Sequence, residues 1–283
     1  MKNLLLPAFC FLIIVLSSCQ KGVKDIYTNS NQNPSLLLKT VSVTGSFSDT
    51  TLYSYDNQER LETITVGFQS PSQSYKNSQK FSRDIYGRII KITRVTEQNM
   101  NQPDTSIELI YYPSSAMEYD YTVDISDGFG FLTYDTTVFT YSAGKIMSSV
   151  SRLTSPFLAS SREITSKIDY TYDSLGRVST MKFAVADQST SGILVDRGMR
   201  IYTYGNILNP IWTTTNAAQN LLLLGMPSIK NEVATKIEND DFISPSNNVI
   251  TTMNYAVNAN NKPVSAISTS TNGLVKQYAF YYQ

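Results

Sequence analysis

The sequence predicts an all-β fold: one large antiparallel up-and-down meander of about 14–16 strands, closed or nearly closed into a barrel, with one short helix. Three observations carry this. A turn signature recurs at a spacing near 29 residues. The segments between turns alternate apolar and polar residues. The chain has 283 residues, enough to bury a sizeable core in one all-β domain.

The turn signature is the clearest of the three. Asp56-Asn57-Gln58-Glu59-Arg60-Leu61 aligns with Asp84-Ile85-Tyr86-Gly87-Arg88-Ile89 and with Asp173-Ser174-Leu175-Gly176-Arg177-Val178. A looser copy begins at Asn258, and Tyr141-Ser142-Ala143-Gly144-Lys145-Ile146 is a shortened one. Tyr112-Pro113-Ser114-Ser115 and Tyr204-Gly205-Asn206 fill further slots with eroded turns. Asp or Asn opens a type I turn by accepting N–H groups two residues on, and Gly or Asn takes the left-handed position that closes the loop. Tyr55, Tyr172 and Tyr255 precede three of the copies.

Strands follow from the flanks. Ile168, Tyr170 and Tyr172 share one face, opposite Lys167, Asp169 and Thr171. The same period of two assigns Met117, Tyr119, Tyr121, Val123 and Ile125 to a buried face, with Glu118, Asp120, Thr122 and Asp124 on the solvated one. Connections near 69–80, 97–105, 153–165 and 186–198 are longer and polar, which makes the long-loop end the expected binding surface. One helix is expected near 216–224, with Asn216 as N-cap and Gly225 just past its end. Its four leucines would plug one end or face of the sheet. A strand from Val233 to Glu238 would follow.

The amino terminus carries a targeting signal. A short basic segment precedes the thirteen-residue apolar run from Leu4 to Leu16, too short for a transmembrane helix but suited to a signal peptide. Leu16-Ser17-Ser18-Cys19 resembles the lipobox of bacterial lipoproteins. That resemblance implies a signal peptide over 1–18 and acylation of Cys19. Several acyl chains on one residue exceed what stable anchoring requires. Gln20, in place of the Asp that favours inner-membrane retention, points to outer-membrane lipid as the partner of the anchor. Residues 19–35 read as a flexible tether before the domain at 36–283.

Composition excludes whole classes of chemistry. The chain has no His, and both of its Cys lie within the first nineteen residues. The domain therefore lacks the usual general base, thiol nucleophiles, Cys-based zinc sites and disulfides. No cofactor or metal site is expected. Taking Lys2 from the 23 basic residues leaves 22 against 23 acidic ones, an interspersed balance that gives no nucleic-acid surface.

Taken with these motifs, the Tyr-Asp-x-x-Gly-Arg units resemble the YD repeats of large bacterial shell-forming proteins. The arrangement as a whole is similar to a family of uncharacterised lipoproteins from gut-type Gram-negative bacteria. The resemblance runs over 36–283 and includes Asn209-Pro210, the stretch Leu224-Gly225-Met226-Pro227-Ser228-Ile229-Lys230-Asn231, and the aromatic end Tyr278-Ala279-Phe280-Tyr281-Tyr282. It implies a porin-like antiparallel fold and no assigned activity.

The expected function is a non-enzymatic, lipid-anchored envelope module that binds a glycan, lipid or protein. The alternative is a His-free hydrolase acting on polysaccharide through paired carboxylates. Glu118, Asp120 and Asp124 are the acids with carboxylate-pair spacing along one strand, and the solvated exterior is the plainer reading for them. Asp240-Asp241, or Asp124 with Asp127, make no complete Ca²⁺ loop. Trp212 reads as core packing before it reads as a sugar platform. A membrane-spanning barrel is disfavoured because Lys91, Arg94 and Arg200 interrupt the apolar faces of their strands. An enzyme should show acids converging in a concave pocket with a raised pKa; a binding module should show exposed aromatics and few convergent acids.

Overall fold

The computed structural model describes residues 36–69, 74–98, 103–114, 116–128, 131–154, 163–187, 193–211, 217–225 and 232–283. Within them the chain forms sixteen strands. They are β1 (Leu37–Thr44), β2 (Phe47–Tyr55), β3 (Leu61–Gln69), β4 (Ser74–Arg83), β5 (Ile89–Gln98) and β6 (Asp104–Tyr111). Next come β7 (Tyr121–Gly128), β8 (Phe131–Ser142), β9 (Lys145–Thr154), β10 (Glu163–Tyr172) and β11 (Val178–Ala186). After β12 (Leu194–Leu208) comes the one α-helix among the described residues, α1 (Ala217–Leu224). It is followed by β13 (Glu232–Asp241), a 3-10 turn, β14 (Val249–Val257), β15 (Pro263–Ser270) and β16 (Val275–Tyr282). Every strand pairs antiparallel with its sequence neighbours, and β16 returns to β1. The sheet is a closed barrel, so it has no free edge to pair with another chain.

The turn signature builds one end of this barrel. Asp173 accepts the N–H groups of Leu175 and Arg177 on one carboxylate oxygen, and Arg177 Nε donates to the other at 2.7 Å. Asp56 with Arg60, and Asp84 with Arg88, repeat that clamp. The closing residue is left-handed, as the motif requires. Gly87 (φ +80°) and Gly176 (φ +82°) take it without a Cβ penalty, while Glu59 (φ +58°) takes it at a cost.

Near the start of seven strands the register slips by one residue. The extra residues are Leu38, Glu62, Ile90, Met147, Ser179, Thr235 and Val264. A bulge of this kind takes a carbonyl out of the ladder. The repeat tyrosine, one hairpin length further on, supplies the missing donor. Tyr55 donates to the Leu37 carbonyl, Tyr112 to Ile89, Tyr141 to Tyr119 and Tyr172 to Ile146. Tyr204 donates to Val178, Tyr255 to Ala234 and Tyr282 to Pro263. In the eighth place Arg83 replaces tyrosine and reaches the Leu61 carbonyl at 3.1 Å. Burial pushes the phenols of Tyr55, Tyr141, Tyr172 and Tyr282 up, and those of Tyr112 and Tyr255 to about 12, so they stay protonated donors. The excess of tyrosine is thus a ring of hydrogen bonds around the turn end. Several of its rings are also roofed by the turn cation of the same hairpin, Arg88 over Tyr112 and Arg177 over Tyr204.

Inside that ring lies the core. Leu61, Ile89, Ile92, Ile146, Tyr119 and Val178 are fully buried, and Leu223 of α1 packs among them. The helix stands where the sequence predicts one, and Gly225 (φ +68°) ends it by donating to the Leu221 carbonyl. Gln219, nearly fully buried, pins it to the wall. It accepts from the Ile89 N–H and donates to the Tyr112 hydroxyl at 2.7 Å and the Met117 carbonyl at 3.3 Å. The Asn216 cap and Trp212 lie outside the described residues, as do residues 1–35.

The structure corrects several expectations. The long connections shrink to 70–73, 99–103, 155–162 and 187–193, because β4, β5, β10 and β12 extend into them. The strand expected over 117–125 begins only at Tyr121. Its faces are reversed: Asp124 pairs across to Glu108 and Asp135 on the lumen side, whereas Tyr121, Val123 and Ile125 face outward. Arg94 and Arg200 also point into the lumen, Arg94 to Glu108 and Arg200 to Asn239, so neither interrupts the outer wall.

Charge on the outer wall comes from other residues. Lys76 pairs with Glu97, Lys80 with Glu62, Lys167 with Asp169, Lys182 with Asp196 and Lys236 with Glu238. These pairs cover β3–β5 and β10–β13. Two stretches turn a largely apolar outer face: β6–β8, with Ile107, Leu109, Val123, Ile125 and the stacked Tyr111–Tyr121 pair, and the neighbouring strands β15, β16, β1 and β2, where Ile267, Val275, Tyr281, Val43 and Leu52 are exposed.

Candidate functional site

Period-two alternation gives each strand one face to the lumen, and the register stacks those residues into rows around the wall. Near the turn end the rows are apolar. Toward the other end they turn polar, and there the candidate site lies.

Two cavities open in the lumen, the first of them between α1 and the wall. The larger, about 570 Å³, is bounded by Leu221–Leu223 on the helix side and by Ile64, Val66, Tyr75, Asn77, Gln79 and Arg94 on β3–β5. The second, about 430 Å³, lies against β1, β2 and β14–β16. Its lining is mostly apolar and aromatic, including Tyr53, Met253, Tyr255, Tyr278 and Phe280. One ion pair crosses it, Lys276 to Asp49 at 2.9 Å. Val66 lines both cavities, so they adjoin. Both fall in the size range of small-molecule sites, and an apolar wall with a few placed polar groups is the usual makeup of one.

Next to the larger cavity is a row of acids. Glu108 on β6, Asp124 on β7 and Asp135 on β8 occupy directly opposed positions on adjacent strands. Opposed side chains sit about 5 Å apart at Cβ, and like charges there are destabilising. Arg94 offsets part of this by pairing with Glu108 and, at 3.3 Å, with Asp124. Burial pushes Asp124 up, and Glu108 and Asp135 add to it against the pull of Arg94. Burial likewise pushes Asp135 up. One carboxylate oxygen of each has no protein partner. Arg94, and none of the three acids, forms the wall of the cavity itself.

Of the acids singled out in the sequence, only Asp124 joins this row. Glu118 and Asp120 lie in the bend before β7. Asp127 alternates with Ser126 to the outer side. Asp240 is outward too, and Asp241 shapes the turn after β13 by accepting from Ile243 and Ser244, whose N–H groups hold its carboxyl below the usual range. Among the described residues no group of three or more His, Cys, Asp or Glu is placed to hold a metal ion. Cys19 lies outside them.

Glu108, the Lys276–Asp49 pair and Gln219 have no part in the sequence-based expectations, and Arg94 enters them only as an interruption of its strand's apolar face. A signal for the acid row was present in the alternation. Leu109, Val123 and Val138 alternate with polar residues as regularly as an inward face does, and period two gives the faces without saying which is inside.

No family model matches the chain, and no curated protein matches it in sequence. Its fold is found in solved structures. A porin-like protein from Bacteroides uniformis is similar over 89% of this chain and 98% of its own, with a TM-score of 0.51 and 11% identity. A porin-like protein from Bacteroides vulgatus aligns over 88% and 98% with a TM-score of 0.46 and 13% identity. At such identity the first likeness is one of fold: this chain is a sixteen-stranded antiparallel barrel with the architecture of a porin-like protein.

Proposed function

We propose that the chain is a lipid-anchored cell-envelope protein whose barrel stands in water and takes a ligand into its lumen from the long-loop end. In this reading residues 1–18 are a signal peptide, acylated Cys19 binds outer-membrane lipid, and 19–35 tether the barrel. The observation that carries it is the charged outer wall. Five lysines and five acidic residues face outward on β3–β5 and β10–β13. A basic residue on a lipid-facing strand costs roughly 2–4 kcal/mol at the bilayer midplane. The charged strands part the apolar stretch on β6–β8 from the one on β15, β16, β1 and β2, so the apolar surface makes no continuous belt. An acyl anchor supplies the membrane attachment that such a wall forbids. The helix inside the turn end, held by Gln219, also favours a receptacle over a pore.

The test is fractionation. Wild-type protein should partition with membranes and require detergent for release, and the Cys19→Ala variant should be recovered folded in detergent-free buffer. Retention of Cys19→Ala in the membrane, released only by barrel-solubilising detergent, overturns the reading.

A second reading, hydrolysis of a polysaccharide by carboxylates, is favoured by the Glu108–Asp124–Asp135 row and its two raised carboxyls. The position of Arg94 between that row and the cavity weighs against it. Release of reducing ends from a polysaccharide by wild-type protein, abolished by Asp124→Asn or Asp135→Asn, would establish it.

A further inference from the structure

Three aromatic side chains form a parallel stack at the loop end of the lumen. Phe47 and Phe68 stack with centroids 5.9 Å apart and planes within 17°. Phe68 and Tyr75 stack at 5.1 Å and 19°. The register places all three on the lumen face: Phe68 lies opposite Asp49 and Tyr75, and Phe47 is two residues before Asp49. Tyr75 is also part of the wall of the larger cavity. Phe47 is 48% exposed and Tyr75 41%, so rings large enough to anchor a core are left wet.

Below the stack the wall changes character. Asn77 lies opposite Val66 and Gln79 opposite Ile64, followed by Arg94 on the next strand. The Asn77 side-chain carbonyl is buried at this cavity without a protein partner. Arg94 brings no free positive charge, because Glu108 and Asp124 share it and Asp135 tips the neighbourhood negative.

The ligand chemistry follows from these parts. The open ring faces at the two ends of the stack, on Phe47 and Tyr75, suit a molecule with broad C–H faces. Amide groups beneath it suit a molecule with many hydroxyls. The acids behind Arg94 disfavour an anion, including a nucleic acid strand, which needs a positive groove alongside its stacking rings. A purely apolar ligand would leave Asn77 and Gln79 unsatisfied. The geometry points to a neutral pyranose oligosaccharide seated against the outer ring faces of Phe47 and Tyr75, with hydroxyls shared with the Asn77 and Gln79 amides of the cavity wall. This rests on the reading of the barrel as a water-exposed receptacle, and it names the ligand class.

The experiment uses the full chain carrying Cys19→Ala, titrated in detergent-free buffer with maltohexaose, cellohexaose and xylohexaose, and with a hexamer of galacturonic acid as the anionic probe. Binding is followed by tyrosine fluorescence and calorimetry. At least one neutral hexasaccharide should bind and the acidic one should not. Phe47→Ala and Tyr75→Ala should each weaken binding about three- to tenfold, the scale of one stacking contact. Asn77→Leu should weaken it about tenfold while thermal unfolding shows the variant folded. Three results overturn the seat: no neutral hexasaccharide bound, the acidic hexamer bound preferentially, or affinity unmoved by the two ring deletions. The wider reading fails separately, if the protein stays folded only in detergent.

Discussion

The Tyr172 hydroxyl donates to the Ile146 carbonyl at 2.7 Å, joining residues 26 apart in sequence across the two ends of one hairpin. That carbonyl belongs to the residue before a bulge, so the phenol satisfies an acceptor that the ladder has let go. Tyr172→Phe keeps the ring and leaves the carbonyl unpaired. It should cost about 1–3 kcal/mol in urea unfolding. Tyr134→Phe, on the outer wall and 39% exposed, should change stability by less than about 0.5 kcal/mol.

Arg83 is the exception in the ring, and burial together with the nearby Arg60 charge holds its guanidinium below the usual range. Arg83→Ala should destabilise by about 1–3 kcal/mol, because the Leu61 and Gly87 carbonyls both lose a donor. Arg83→Tyr restores the residue used by the other seven hairpins, and it should recover most of that loss. Equal midpoints for the two variants in denaturant would refute the equivalence of arginine and tyrosine here.

Gln219 is where α1 depends on the wall. Gln219→Ala strips a partner from the Ile89 N–H and the Met117 carbonyl and opens a void beside Leu223. A loss of about 2–4 kcal/mol is expected. Limited proteolysis should then cut near α1 before the strands, since the helix end opens at less than the global cost.

Two aspartates should respond to pH with opposite sign. For Asp173, burial raises the carboxyl, but the Arg177 bonds and the Leu175 N–H outweigh it and the net position is below the usual range. Its stabilisation is present above the unfolded-state pKa and lost as pH falls through the folded one. Asp135 is raised, so its folded form favours the proton, and the charged form costs stability once pH rises past the folded value. Asp173→Asn should therefore destabilise at pH 7 and converge with wild type in acid. Asp135→Asn should stabilise at pH 7, by on the order of 0.5 kcal/mol after screening, and also converge in acid. Thermal melts across pH 3 to 8 distinguish them, and a parallel offset at every pH would contradict both assignments.

The frame was legible because its punctuation is local. Asp173 to Val178 contains the acceptor, the left-handed glycine and the clamping arginine of a complete turn, and such chemistry needs no knowledge of the rest of the chain. The helix before Gly225 was readable for the same reason. The lumen was not, since its residues come together only through the register. Phe47, Phe68 and Tyr75 meet across three strands, and Glu108, Asp124 and Asp135 across three others. Around Val123 the alternation was correctly seen and assigned inside out. A barrel with a polar lumen and a partly apolar wall reverses the rule that apolar residues face inward.

The staple from Tyr172 to Ile146 has a counterpart in every hairpin, and in each case donor and acceptor lie on the same pair of strands. Each hairpin therefore closes on itself before it meets its neighbours, and the barrel is a masonry of eight like bricks. Such a wall can be lengthened or shortened by duplicating or deleting one brick, always two strands at a time. The number of copies then sets the girth of the lumen, and with it the size of molecule the barrel can admit, while every brick keeps its own internal bond.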